Sequence, residues 1–375
     1  MSEDELPDPL APRRNPDLVG HGAAEHLLAE TARAGRMPHA VILGGPRGIG
    51  KATLAYRFAR WLLAGQAEAP SDMLGKDAVG LFGPAEPPPG LFLDPSHVVA
   101  RRVAAAGHAD LLTIERGWDA KRKKLRGEIV IEDVREIGHF LHLTSAEGGW
   151  RIVVVDSADE MNRNAANALL KILEEPPRRA LLLLVCHAPG RLLPTIRSRC
   201  RMVNLQPLAL EEVTGLVAAH LPEASSEERA ALAALSDGSV GKALDLAEAG
   251  GLELYRQLIG LLNGLPQLDG LVLHQLADKL ARPDAVESYA TFFGLLVDWL
   301  QRMVVTAAGG GERIPEVVQG EADLASRLAA SGRLDRWVDV WENLRALFAQ
   351  ADSVNLDRKQ VVLDAFFALE AAASA

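Results

Sequence analysis

A glycine-rich turn directly after a short apolar strand constrains this chain more than any other feature. Ala40-Val41-Ile42-Leu43-Gly44 reads as a buried strand, and it runs into Gly45-Pro46-Arg47-Gly48-Ile49-Gly50-Lys51-Ala52-Thr53. Strand, glycines, lysine and following helix fall in the order of a phosphate-binding loop, whose backbone N–H groups cradle phosphates while the lysine reaches their outer oxygens. Gly45, Gly48, Gly50, Lys51 and Thr53 are therefore candidate nucleotide-binding residues. The match stops at one position. The residue after the lysine should supply a hydroxyl for Mg²⁺, and here it is Ala52. That defect suggests a nucleotide fold that has given up hydrolysis.

The rest of the first half supports such a fold. Residues 111–115, 152–156, 181–185 and 202–205 are further apolar runs. They alternate with helical spacing over 22–35, 53–63, 131–143 and 165–173, the last stopped by Pro176-Pro177. Short apolar strands between helices predict an α/β domain with a parallel sheet covered on both faces. Residues 1–16 are Pro-rich and charged and read as an arm that orders on contact or as a loose tail. Residues 64–100 read as irregular, because Pro84 and Pro87-Pro88-Pro89-Gly90 rule out long elements. Residues 117–127 read as a charged loop whose run Lys121-Arg122-Lys123-Lys124 is a solvated face or a local nucleic-acid contact. After Pro207 strand signals vanish. Residues 209–250 read as a small helical unit broken at Asp237-Gly238-Ser239. Residues 253–373 read as a longer bundle, interrupted at Gly264-Leu265-Pro266 and Gly309-Gly310-Gly311.

The formal net charge of −10 excludes bulk electrostatic attachment to DNA, so any nucleic-acid contact is local or shared with partners. No apolar run approaches the ~18 residues of a membrane span. The acidic start Met1-Ser2-Glu3-Asp4-Glu5 is unlike a secretory signal, so a cytoplasmic location is expected. Cys186 and Cys200 are the two cysteines. They cannot form a four-thiolate site, and no structural zinc is expected. Cys186 beside His187 lacks an acyl-transfer constellation and reads as buried packing.

Asp156 closes the third strand. A carboxylate there is placed to bind Mg²⁺ through water, or serves as a plain cap. Ser157 follows it where an active ATPase carries the acid that polarises water, and the spacing of Asp159 and Glu160 puts them off the strand. Thr195-Ile196-Arg197-Ser198-Arg199-Cys200 lies between the fourth and fifth strands. Its arginines are either solvated surface or an arginine finger, a guanidinium donated to a neighbour's γ-phosphate, and spacing alone does not decide.

Three stretches point beyond a generic phosphate-loop domain. Asn167-Ala168-Leu169-Leu170-Lys171-Ile172-Leu173-Glu174-Glu175-Pro176-Pro177, Ser198-Arg199-Cys200 and Pro38-His39-Ala40 together resemble bacterial clamp-loader subunits of the AAA+ superfamily. The resemblance covers about residues 18–250, and the tail agrees in character. It implies an AAA+ P-loop domain (1–207), a helical lid (208–250) and an all-α collar (251–375). Such collars assemble a five-membered hetero-oligomeric ring that opens a sliding clamp and places it on primed DNA, serving a DNA-directed DNA polymerase. The implied partners are other clamp-loader subunits (gamma/tau and delta), the sliding clamp and, through the complex, primed DNA; no membrane is involved.

Within that family the defects suggest a subunit that does not hydrolyse ATP. Gly241, in Gly238-Ser239-Val240-Gly241-Lys242, stands where active relatives carry a phosphate-sensing arginine. The resemblance then implies a degenerate nucleotide site (Gly45, Gly48, Gly50, Lys51, Thr53, Asp156), open to ATP without turning it over, and an arginine finger, Arg199, acting in trans. The alternative is an ATP-hydrolysing subunit of gamma/tau type, favoured by Lys51, Asp156 and the intact glycines. A P-loop kinase is opposed by both signatures and by the helical tail. Many relatives carry a four-cysteine zinc module after the first helix; residues 64–110 hold no cysteine here, and His97 and His108 do not make a closed site. Finally, residues 284–308 carry Tyr289, Phe292, Phe293, Leu296, Trp299, Leu300 and Met303, either ordinary core packing or a surplus apolar face for assembly.

Overall fold

The computed structural model describes residues 11–65, 90–119, 123–309, 316–331, 334–354 and 356–374. The first ten residues of the expected arm, most of the Pro-rich irregular segment, Lys121 and Arg122 of the basic run, and Gly310 and Gly311 lie outside the described residues. The chain divides into two compact units at Glu212 and Val213.

The first unit is built on β1 (Ala40–Gly44), β2 (Leu111–Ile114), a small antiparallel ribbon of β3 (Trp118–Asp119) and β4 (Lys124–Leu125), then β5 (Arg151–Val155), β6 (Ala180–Cys186) and β7 (Arg201–Asn204). Five of these form one sheet in the order β2-β5-β6-β1-β7, parallel at every pairing. Among the described residues six α-helices accompany it: α1 (Gly22–Arg33), α2 (Lys51–Leu63), α3 (Val98–Ala104), α4 (Ile131–His142), α5 (Arg163–Glu174) and α6 (Pro194–Arg197).

Strand side chains point alternately to opposite faces, and the core divides along that alternation. Val41, Leu43, Ile152, Val154, Leu181 and Leu183 join Leu54, Phe58 and Trp61 of α2 in one cluster. Ile42, Val153, Val155, Leu182 and Leu184 join Val134 and Ile137 of α4 and Leu169 and Leu173 of α5 in another. Both faces are dry, which is why these strands read as continuous apolar runs. The ribbon β3–β4 falls inside the expected charged loop. Helix α3 corrects the sequence reading, which had everything up to residue 100 irregular. His97 starts it by accepting the Val99 N–H at its Nδ1, 3.2 Å away, and Val99 and Val103 are buried beneath it.

Residues 11–18 form a strap along α2. Arg60, 5% exposed, donates to the carbonyls of Arg13 (3.0 Å) and Asn15 (2.8 Å), and Arg57 donates to the carbonyl of Pro16 and to Glu25. Burial, with the nearby Arg57 charge, pushes the Arg60 guanidinium down to about 10.

Among the described residues beyond β7 every regular element is helical. α7 (Leu210–His220) runs across the division. α8 (Ser226–Leu235), α9 (Val240–Glu248), α10 (Gly251–Asn263), α11 (Gly270–Leu280), α12 (Val286–Ala307), α13 (Glu321–Ser331), α14 (Leu334–Val354) and α15 (Arg358–Ser374) follow. α12 is the hub. Phe293 stacks on Phe348 of α14 with centroids 5.0 Å apart, and Phe292 lies 6.1 Å from Phe366 of α15. Tyr289, Phe292, Phe293, Leu296, Trp299, Leu300 and Met303 are each at most 3% exposed. Of the two readings left open for these residues, the structure decides for core packing; they offer no surplus face. No helix among the described residues is long and apolar enough to cross a membrane.

Truncating Phe293 to alanine deletes a fully buried ring from this hub. The expected cost is about 3–5 kcal/mol, read from denaturant unfolding, whereas Val305→Ala at an exposed position of α12 should stay within about 0.5 kcal/mol of wild type. Equal effects would mean that α12 is not the centre of the bundle.

Candidate functional site

The chain leaves β1 toward one edge of the sheet and leaves β6 toward the other, so a crevice opens between their carboxyl ends. The glycine loop fills that position. Gly45 has φ 147°, and a Cβ on it would lie 2.5 Å from the Leu205 carbonyl oxygen. Gly50, at φ 98°, is the N-cap of α2. Only glycine adopts these conformations freely. The loop thereby delivers the first turn of α2, whose N–H groups lack intrahelical partners and favour anions. From the other side, His21 donates from Nε2 to the Ile49 carbonyl at 2.6 Å.

Lys51 is 2% exposed and its ammonium donates to the carbonyl of Pro46, within its own loop. Burial pushes it down to about 8, against the opposing pull of Asp159 and Asp156. Asp156, at the end of β5, is raised by burial and by the charge of Glu115. Ala52 packs against the first core cluster and carries no hydroxyl for a metal; Thr53 is buried in α2 and, two residues beyond Lys51, does not share its face.

Two side chains that sequence reasoning left aside belong to this crevice. Ser157 adopts left-handed φ 60°, and the single 3-10 turn that follows, Ala158–Glu160, folds Asp159 back over the end of β6. Its carboxylate accepts the N–H of His187 at 2.8 Å and of Ala188 at 3.0 Å. Burial pushes Asp159 up, but these N–H bonds outweigh it and hold the carboxyl below its ordinary range. The Ser157 hydroxyl is engaged by His187 Nε2 at 3.1 Å. Burial and the Lys51 charge push His187 down to about 4, so its ring is neutral at pH 7. A polar residue immediately after an apolar strand was the available signal for His187. For Asp159 there was none, because linear spacing does not reveal a left-handed turn. Cys186 is buried and pushed up to about 12 by burial and by Asp159. The crevice can hold phosphate charge with loop amides and Lys51. It has no hydroxyl at position 52 and no carboxylate at position 157.

Arg199 lies elsewhere. β7 begins at Arg201, paired in register with Val41 near the start of β1. The Ser-Arg-Cys segment therefore sits at the amino edge of the sheet, a strand's length of about 16 Å from the glycine loop. Helix α6 ends one residue before Ser198, whose hydroxyl donates to the Thr195 carbonyl at 3.1 Å. Cys200 packs into the second core cluster, and burial pushes its thiol up to about 12. Arg199 between them is exposed; it donates from Nη1 to the Thr195 carbonyl at 3.1 Å and from Nη2 to Glu174 at 2.9 Å. Arg197 is exposed as well. In the second unit, Gly241 lies in α9 with no side chain to offer, and its neighbour Lys242 is bound to Asp237 (2.6 Å) and Asp298 (2.8 Å). Among the described residues no three His, Cys, Asp or Glu side chains gather as a metal site.

Comparison with known proteins gives a consistent set of relatives. The family described as "DNA polymerase III, delta subunit" matches residues 95–209. DNA polymerase III subunit delta' of Pseudomonas aeruginosa is 34% identical, over 70% of this chain and 69% of that protein. The Escherichia coli subunit of the same name is 30% identical, over 81% of both. The Escherichia coli subunit tau is 29% identical, over 66% of this chain and 34% of that protein.

Two measurements check the site's electrostatics. The unfolded chain binds a proton at His187 near the ordinary 6.5, and the folded chain only near 4. Between those values the unfolded state holds more protons, so this residue's contribution to stability falls as pH drops from 6.5 toward 4. His187→Asn should flatten that part of the stability profile measured by denaturant midpoints; an unchanged slope would mean that the ring charges freely. Both thiols, shifted to about 12, should resist iodoacetamide at pH 7.5 in the native protein and react fully after unfolding. Rapid native alkylation would contradict the burial of Cys186 and the raised thiol of Cys200.

Proposed function

Because the chain belongs to the DNA polymerase III delta-prime family of AAA+ clamp-loader subunits, we propose that it supports clamp loading without hydrolysing ATP, by presenting Arg199 to ATP held by a neighbouring subunit. The observation that carries this reading is the placement of Arg199. It stands at the opposite edge of the sheet from its own glycine loop, exposed and ahead of β7. A guanidinium there has no access to phosphates on its own loop, and is available to another chain's. Guanidinium suits the task, being permanently charged and able to bridge two phosphate oxygens.

The defects support the other half. Ala52 supplies no ligand for Mg²⁺, Ser157 no acid to polarise water, and Gly241 no charge for the γ-phosphate. In phosphoryl transfer each of these parts positions or stabilises developing charge, and losing three leaves little. The residues present do fit a phosphate: Gly45, Gly48 and Gly50 shape the cradle, and Lys51 and the first amides of α2 supply positive charge. ATP bound there would be held by these groups and would supply a ligand for the fold, not a reaction. Lys51 must first exchange the Pro46 carbonyl for a phosphate oxygen, which favours weak binding.

In this reading residues 208–250 act as a lid and residues 251–375 as a collar joining the ring. The partners are the gamma/tau and delta subunits, the sliding clamp and, through the complex, primed DNA, in the cytoplasm. No zinc has a place in it: Cys186 is buried in the second core cluster of the sheet and Cys200 packs against that cluster.

Steady-state ATP turnover separates the proposal from the gamma/tau alternative. The isolated chain should show only trace hydrolysis; turnover well above trace that Lys51→Ala abolishes would establish an active ATPase. In the assembled loader, Arg199→Ala should leave assembly intact and lower DNA-stimulated turnover. Single arginine fingers contribute about 10³–10⁵ in rate in favourable cases, and a ring with several sites should lose less. Arg199→Lys should rescue poorly, since a point charge lacks the fork. Wild-type turnover and clamp loading by Arg199→Ala would overturn the trans-acting role.

A further inference from the structure

Glu174 is the side chain in this region whose position is hardest to explain by folding alone. It is the last residue of α5, which Pro176 and Pro177 prevent from continuing. A carboxylate in the last turn faces the negative end of the helix dipole, where a cation is favoured. A second acid, Glu175, follows as the C-cap. The local rule is broken, and broken rules concentrate at functional positions.

The Glu174 carboxylate meets Arg199. Nη2 donates to its Oε1 at 2.9 Å, and Nη1 donates to the Thr195 carbonyl at 3.1 Å. The backbone on either side is already anchored, by the Ser198 hydroxyl on the Thr195 carbonyl and by Cys200, half-buried against the second core cluster. What remains free is the long arginine side chain itself. Thr195 and Glu174 hold it by two points, whereas a guanidinium has five donors in a planar fork. The fork is therefore oriented and still has donors left for a phosphate. The pair is also exposed, with 37% of the arginine side chain and 53% of the glutamate accessible. Such exposed pairs restrain a side chain modestly and leave its remaining donors open to solvent.

We propose that Glu174 is a positioning residue for Arg199, restraining the guanidinium in the orientation from which it reaches a neighbouring subunit's phosphate. This rests on the reading of Arg199 as a finger in trans. Pre-ordering a rotamer-rich side chain lowers the cost of docking it at each encounter.

The test uses the complete clamp-loader complex assembled around this chain, with kcat and KM of DNA-stimulated ATP turnover as readouts. Glu174→Ala should lower kcat about two- to fivefold, the size expected of an exposed pair, with KM and assembly unchanged. Glu174→Gln, which keeps an acceptor, should fall between it and wild type. In an Arg199→Ala background, Glu174→Ala should have no further effect. If Glu174→Ala leaves kcat unchanged or raises it while Arg199→Ala lowers it, Glu174 is only a helix-end charge and the proposal is wrong. An equal loss with and without Arg199 also overturns it, since the effect then bypasses the guanidinium. If Arg199→Ala itself turns over ATP at the wild-type rate, the finger reading fails and this proposal fails with it.

Discussion

The saturation of β1 is the constraint from which the rest of the first unit follows. β1 is hydrogen-bonded to β6 on one edge and to β7 on the other, and all five of its residues are buried. A strand with no free edge and no wet face cannot shift register without moving apolar side chains to the wrong cluster. Its carboxyl end is thus a fixed point. The chain emerging there must turn at once beneath Leu205, and only a residue without a Cβ clears that carbonyl. The same rigidity fixes the opposite edge, where β7 is registered against β1 and carries the segment that ends in Arg199. One strand therefore sets both the position of the glycine loop and the distance at which the arginine stands from it.

Charge around the glycine loop is largely balanced within the protein. A lysine at 2% exposure needs compensation, but the acids near it are already occupied or disfavoured. Asp159 spends both oxygens on backbone N–H groups beyond β6. Asp156 is pushed toward its neutral form by burial. Lys51 settles on a carbonyl of its own loop instead. His187, held neutral, adds no second cation. Lys51 is satisfied by a protein group, while the Nδ1 of His187 stays buried without a partner, and this differs physically from a site whose lysine is left waiting for a phosphate.

Legibility in the sequence followed the range of the interactions. The sheet strands were legible because burial on both faces leaves uninterrupted apolar runs, and the loop was legible because its φ angles demand glycine at fixed spacing. The absence of a hydroxyl at position 52 and of a carboxylate at position 157 could be read directly from single residues, Ala52 and Ser157. α12 could not be resolved: seven large apolar residues fit a core or an interface equally well, and only the facing rings of Phe348 and Phe366 decide. Asp159 was invisible because one left-handed residue redirects it. The pairing of Glu174 with Arg199 crosses 25 positions, and no local pattern announces it. α3 escaped notice because a seven-residue helix capped by a histidine leaves too short a period to read.

The strap over α2 illustrates where recognition information is stored in a fold. Arg57 and Arg60 grip it by the main-chain oxygens of Arg13, Asn15 and Pro16. Every amino acid brings such an oxygen. The strap is therefore addressed by the path of its backbone, and the letters that spell it are largely interchangeable as far as this anchor is concerned. The two guanidiniums are not, because a lysine in either place would offer a single point in place of a fork. Arg13 over the Tyr56 ring and Leu18 against the first core cluster are the exceptions, side chains through which the strap is read by its own letters.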